Sequence, residues 1–225
     1  MQPAYIPWLG YFDRISKSDI HIILDDVAMD KSSKNKFSNR NKIRTPNGWS
    51  WLTIPLQSTA RSDEKVISDL EISYGMDWRE KHWRTIQANY SRSAHYSRYS
   101  DYFESFYKQD WTYLVNMLEE STQYLLQELK IQTHQIKSSE LSLQSKKADL
   151  ILDLCSKVGA TVYLSGPFGR DYLDEGAFED AGIELKYHDY IHPNYNQCFD
   201  SFEPFMSIVD LLFNHGEKSL EILTS

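Results

Sequence analysis

From residue 146 onward the chain alternates helix-period and strand-period segments, and that alternation restricts the fold more than any other feature. KKADLILDLCSKVG is amphipathic at helical spacing and stops at Gly159, and TVYLSG is a short apolar run. GPFGRDYLDEGAFEDAG then reads as loop plus helix, ELKYHDY as another strand, and FMSIVDLLFNHG as a closing helix ended by Gly216. Strands separated by helices call for a parallel sheet with helices packed over it, and the ligand crevice of such a sheet lies beyond the carboxyl ends of its strands. The expected fold is α/β: a mainly parallel, Rossmann-like sheet flanked by helices, with a β-hairpin and a helical insertion. No repeat, low-complexity tract or linker divides the sequence, so residues 1–225 are read as one such domain.

The first half supplies the insertion. In QPAYIPWLGYF the rings of Pro3 and Pro7 fix φ and disfavour helix at Gln2 and Ile6, so the segment reads as a rigid extended loop that enters a helix near Tyr11, with Gly10 at the bend. SDIHIILDDV is a buried-looking strand with Asp25 and Asp26 at its carboxyl end. A polar, basic loop carrying Lys31, Lys34 and Lys36 follows. PNGW then turns the chain into WSWLTIPL, whose alternation predicts a hairpin strand, and VISDLEIS reads as one more alternating run. Asp77 is placed to cap a helix bearing Trp83, Ile86 and Tyr90. Residues 102–129 form an aromatic-rich helix broken near Asp110, and IQTHQIKSSEL is a short strand and loop. The apolar stripe of 102–129 reads equally as core or as a dimer face.

Composition removes several function classes. With 41% hydrophobic residues the chain has ample core material. Its 24 Lys+Arg against 32 Asp+Glu give a net charge of −8 and no basic block, which argues against nucleic acid as a partner. Cys155 and Cys198 stand far apart without a CxxC spacing, which suits a reducing cytoplasm. No signal segment is present, and no run approaches the roughly 20 apolar residues of a membrane span, so no membrane insertion is expected.

Four stretches carry candidate chemistry. YLSGPFGRDYLD runs from strand through glycines into a helix; it reads either as an anion site, with backbone N–H groups and Arg170 gripping phosphate or carboxylate, or as a tight turn and helix cap. Neither nucleotide-binding glycine fingerprint is met. Asn39, Arg40 and Asn41 offer fixed donors to an oxygen-rich ligand, or else form a solvated basic loop. Asp26 beside Asp25 sits where such sheets collect site carboxylates, with an alternative as a loop cap that holds Arg40. HDYIHPNYNQ places His188 and His192 after the last strand, where a neutral imidazole serves as a general base. His82 reads as a site residue or a locally satisfied helix histidine. No metal-binding spacing and no G-x-S-x-G elbow occurs, and Ser165 before a glycine is only suggestive as a nucleophile.

In order, QPxYxPWxGYF, LDDV, NRNxI, PNGWxWLTxP, KHWRxIxxNY, YLSGPxGRDYLD and HDYxHPxYxQ resemble the WbqC-like protein family across essentially the whole chain. The resemblance implies a bacterial cytoplasmic protein of surface-polysaccharide biosynthesis, such as O-antigen or capsule, and an enzyme of transferase type acting on an activated sugar or adding a small acyl or aminoacyl group to it. A non-catalytic carbohydrate- or partner-binding protein of the same pathway is the alternative. On the first reading His192 or His188 moves the proton, with Asp26 as the accompanying carboxylate. Asn39, Arg40, Asn41 and Arg170 hold phosphate or carboxylate, and Trp8, Tyr11 and Trp49 stack on a sugar or base. Gln2, Tyr5, His82 and Tyr90 complete the expected binding set, together with Ser165, Gly166, Gly169 and Asp171. The expected partner is a small anionic molecule or sugar nucleotide, and the cofactor, if the reaction uses one, is left open. Two departures stand out: Met1 occupies a position where the family carries a short apolar strand and a histidine, so a truncated or late start lacking that strand is expected, and Ala28 and Met29 replace a glutamine and an aromatic.

Overall fold

The computed structural model describes residues 1–29, 37–57, 65–75, 77–141, 145 and 148–225. The chain is α/β. Helix α1 (Leu9–Ser16) leads into β1 (Ile20–Ile23), and the hairpin of β2 (Arg40–Thr45) and β3 (Gly48–Thr53) follows. Three helices come next, α2 (Trp78–Tyr90), α3 (Tyr96–Lys108) and α4 (Leu114–Glu128), and then β4 (His134–Lys137). The last third runs α5 (Ala148–Lys157), β5 (Val162–Ser165), α6 (Glu175–Asp180), β6 (Glu184–Tyr187), α7 (Ile208–His215) and α8 (Ser219–Leu223). The strands pair as β1 with β4 in parallel, β5 with β6 in parallel, and β2 with β3 antiparallel. Met1 lies alongside β1: its amine donates to the Ile22 carbonyl and its own carbonyl accepts from the Leu24 N–H at 2.8 Å.

Local chemistry accounts for most boundaries. The Asp77 carboxylate accepts from the Glu80 N–H and caps α2. Gln109 leaves helical geometry at ψ 151°, which ends α3 and makes the 102–129 stripe two helices. Leu52 and Ile54 point inward from the hairpin while Trp49 stays 43% exposed, as the alternation requires. Helix α1 starts at Leu9, earlier than expected, and Gly10 lies inside it with a different task. A Cβ there would press on the Trp8 indole at 2.7 Å, so glycine lets that ring fold back over the first turn. VISDLEIS is not a strand: Ile67–Asp69 is a 3-10 turn, and Val66, Glu71 and Ile72 bridge to three different partners. The lysines Lys31, Lys34 and Lys36 lie outside the described residues.

The main core joins the insertion to both ends of the chain. Phe213 of α7, fully buried, sits among Tyr90, Tyr96, Tyr99 and Phe103 at centroid distances of 5.2–5.9 Å. Burying such a ring contributes about 1.5–3 kcal/mol. Phe103, Phe106, Leu118 and Leu125 are also fully buried, so the stripe of 102–129 is spent on the chain's own core rather than left as a dimer face. A smaller cluster of Cys155, Leu173, Phe178 and Ile183 packs α5 and α6 on β5 and β6. Among the described residues no helix is long and apolar enough to cross a membrane.

Candidate functional site

The opening loop and the Asn39–Asn41 motif meet, but they bind each other. The Asn41 amide, fully buried, donates to the carbonyls of Tyr5 at 3.1 Å and Ile6 at 2.9 Å, while its oxygen accepts from the Lys42 N–H at 2.8 Å. Between those carbonyls Ile6 has φ 35°, a left-handed conformation that a β-branched residue adopts only under constraint. Asn39 donates to the Ile54 carbonyl at 2.9 Å and closes the open end of the hairpin. Arg40 lies over the Trp51 ring and Lys42 over the Trp49 ring, at 4.4 and 4.3 Å. Gln2 donates to the Ala28 carbonyl. Tyr5 is fully buried, and its hydroxyl pairs with Tyr107 and with His82 Nδ1 at 3.0 Å. Burial pushes the His82 pKa down to about 4, so its ring is a neutral core group. Tyr90 is also core: its hydroxyl accepts from the Arg44 N–H at 2.9 Å.

A different set converges at the carboxyl ends of β5 and β6. His188 directly follows β6, and its N–H is tied to the Ser165 carbonyl at 2.8 Å, which extends the parallel ladder by one bond. Its Nε2 lies 2.6 Å from Oδ2 of Asp13 in α1. Asp13 is fully buried, and its Oδ2 also receives Lys17 at 2.7 Å. A carboxylate in that position fixes the imidazole with its proton on Nε2. The Nδ1 lone pair, which has no hydrogen-bond partner among the described residues, is then left to accept a proton. The His188 ring stacks on Tyr190 at 5.7 Å, and Tyr190 meets the Trp8 indole edge-on at 5.5 Å, so aromatic rings wall this histidine.

Arg14, next to Asp13 on α1, points toward the same turn. A Cβ on Gly166 would lie 2.6 Å from its Nη1, so glycine makes room for the guanidinium. Among the described residues no carboxylate pairs with it; its Nε donates to the Met1 sulfur at 2.8 Å, a weak acceptor. Burial draws its pKa below the ordinary arginine value, with partial compensation from the phenols of Tyr163, Tyr11 and Tyr172. The guanidinium stays charged at neutral pH.

Arg170 is engaged elsewhere, in a bidentate pair with Asp189 at 2.8 and 2.7 Å, with its guanidinium 4.2 Å from the centroid of the Tyr187 ring. It lies in a 3-10 turn, Pro167–Asp171, where Gly169 lies tight against the Ser165 hydroxyl and Asp171 is exposed. Ser165 is buried and donates to the Gly166 carbonyl at 3.1 Å. His192 has both nitrogens occupied: Nδ1 bonds to the Pro193 carbonyl at 2.8 Å and Nε2 accepts from the Phe205 N–H at 3.1 Å. Asp26 is exposed at the end of β1 and shares the Ser138 hydroxyl with Asp25, which also accepts from the Ser139 N–H at 3.0 Å. That pair caps the turn after β4. Tyr11 is buried and faces His21 edge-on at 5.8 Å. Among the described residues no group of three His, Cys, Asp or Glu side chains is placed to hold a metal ion.

The structure thus joins His188 and Gly166 of the expected site to two residues that sequence reading passed over, Asp13 and Arg14. Within α1 both look like the polar side of an amphipathic helix. Only the contact between Asp13 and His188, 175 positions apart, shows otherwise.

The comparisons agree with the motifs. The family model described as "WbqC-like protein family" matches residues 2–222. The chain is 35% identical over 225 residues to "Uncharacterized protein Rv1507c" of Mycobacterium tuberculosis (strain ATCC 25618 / H37Rv), covering 99% of this chain and 95% of that one. No solved structure matches. A match over nearly the whole length, with the motifs in family order on one α/β scaffold, shows that the chain belongs to the WbqC-like protein family.

Proposed function

We propose that this chain is a cytoplasmic transferase of bacterial surface-polysaccharide biosynthesis, acting on an activated sugar or adding a small acyl or aminoacyl group to it. The observation that carries the reading is the buried Asp13–His188 pair beside the Arg14 guanidinium, which has no carboxylate partner among the described residues. In this mechanism His188 Nδ1 takes the proton of an acceptor hydroxyl or amine as that atom bonds to the donor carbon, and the leaving group departs with the electron pair of the broken bond. Asp13 stabilises the resulting imidazolium through the Nε2–H hydrogen bond. Arg14 binds the phosphate or carboxylate of the donor across the space that Gly166 leaves open.

A second reading, binding without chemistry, draws on apolar side chains exposed after β5 and β6: Phe168 at 78% and Ile191 at 85%. Thermal melts against nucleotide sugars and acyl donors, followed by product analysis with sugar acceptors, separate the two. The transferase reading expects at least one donor to raise Tm in the wild type and not in Arg14→Ala, and His188→Asn to keep that shift while forming no product. A flat Tm across the panel sinks both readings, and binding without product in the wild type favours the second.

A further inference from the structure

We propose that the cavity between the β1–β4 ladder and α4 is a binding site for one uncharged, polyhydroxylated ring, separate from the Asp13–His188 pair. The parallel register pairs His21 with Gln135 and Ile23 with Lys137, which puts these four side chains on one face of the ladder. Helix α4 crosses that face with Glu119 and Thr122, Tyr11 lines one side, and the cavity, open at one rim, measures about 220 Å³. His21 and Thr122 are 4% and 5% exposed. Among the described residues neither ring nitrogen of His21, nor Thr122 Oγ1, nor Glu119 Oε1 has a partner within hydrogen-bond geometry, although the Gln135 side chain lies beside the His21 ring as a looser polar neighbour. Buried polar atoms are nearly always paired, and here four without partners surround one cavity.

The chemistry of the wall selects the guest. Among the lining residues Glu119 is balanced by Lys137, whose Nζ reaches Oε2 at 2.8 Å, and exposed Glu140 stands at the rim, so the wall itself carries no net positive charge; the Arg14 cation acts on His21 from beyond the lining. Burial holds the His21 pKa at about 2, which keeps the ring neutral with one donor and one acceptor. Glu119 Oε1 and one His21 nitrogen need donors, the other His21 nitrogen needs an acceptor, and Thr122 takes either. Neighbouring hydroxyl groups supply both kinds, while Tyr11, Ile23 and Leu118 provide an apolar surface for the C–H side of a ring. The volume lies below the ≈ 300–1,000 Å³ of drug-sized pockets, which suits a single ring and not a nucleotide.

The test is saturation-transfer NMR and calorimetry on the full chain with glucose, galactose and N-acetylglucosamine, against glucose 6-phosphate and inorganic phosphate. A neutral sugar is expected to bind, and phosphorylation to weaken it. Thr122→Val keeps the shape and removes an unpaired hydroxyl, so it is expected to fold like the wild type and to bind the sugar about tenfold more weakly. Glu119→Gln is a second variant with the same expected direction. His188→Asn tests the dyad and is expected to bind these sugars as the wild type does, so the failure of one reading does not carry the other. No binding by any neutral sugar, leaving a cavity that holds water only, overturns the proposal, and so does affinity unchanged in both cavity variants.

Discussion

Replacing Asn41 by alanine removes the clasp between the hairpin and the loop that leads into α1. Three backbone groups lose their partner: the Tyr5 and Ile6 carbonyls and the Lys42 N–H. Each stranded group costs about 1 kcal/mol at the lower end of the range, or about 3 kcal/mol together. Relaxation of the loop returns part of that, because freeing Ile6 from φ 35° recovers strain of order 1 kcal/mol, so the net loss is expected at about 2–3 kcal/mol. For a chain of this length the same loss lowers Tm by about 4–12 °C. Urea denaturation at constant m-value and thermal melts both read it. Asn41→Asp sharpens the test: an ionised carboxylate facing two carbonyl oxygens is expected to be worse than alanine at neutral pH and to recover as acid protonates it. A Tm within about 1 °C of wild type for Asn41→Ala, or an aspartate variant insensitive to pH, would refute the clasp.

Gly166→Ala puts a Cβ 2.6 Å from Arg14 Nη1 while the backbone there, at φ −71°, is ordinary. Stability is expected to stay within about 1 kcal/mol of wild type while affinity for the anionic donor falls, and an unchanged donor affinity would contradict the placement of Arg14. His82 titrates at about 4 in the fold and near 6.5 when unfolded, so the unfolded chain takes up its proton first as pH falls. The stability it contributes is complete above pH about 6.5 and is lost toward pH about 4, amounting to about 3 kcal/mol. Denaturation across that window is expected to slope less in His82→Gln, and equal slopes would refute this. Burial pushes the Cys155 thiol up to about 11, so thiol reagents are expected to label it only after unfolding; rapid labelling of the native chain would show it to be accessible.

What the sequence made legible was local. Asp77 as a helix cap, the break near Asp110 and the inward Leu52 and Ile54 each depend on neighbours a few residues away, and each is present in the structure. The α/β class followed from the alternation of periods in the last third. The site depends on contacts that no local pattern encodes. Asp13 and Arg14 gain their roles from His188 and Gly166, and the guanidinium of Arg170 is taken by Asp189, 19 positions on. Both nitrogens of His192 are occupied, one of them by a backbone N–H 13 positions later. The Asn39–Asn41 motif offers the donors that its composition suggested, but it spends the two asparagine amides on the chain's own carbonyls. VISDLEIS shows the converse: its alternation is real, yet Val66, Glu71 and Ile72 pair with three separate segments and no strand results.

The central claim is that buried Asp13 fixes the orientation of the His188 ring through Nε2 and leaves Nδ1 as the proton-accepting nitrogen. Imidazole ¹⁵N chemical shifts in histidine-labelled protein, assigned to His188 by comparison with His188→Asn and repeated in Asp13→Asn, test it most directly. The account expects a protonated Nε2 and an unprotonated Nδ1 in the wild type, with that preference lost in Asp13→Asn. A proton on Nδ1 in the wild type, or a tautomer indifferent to the Asp13 substitution, would contradict it.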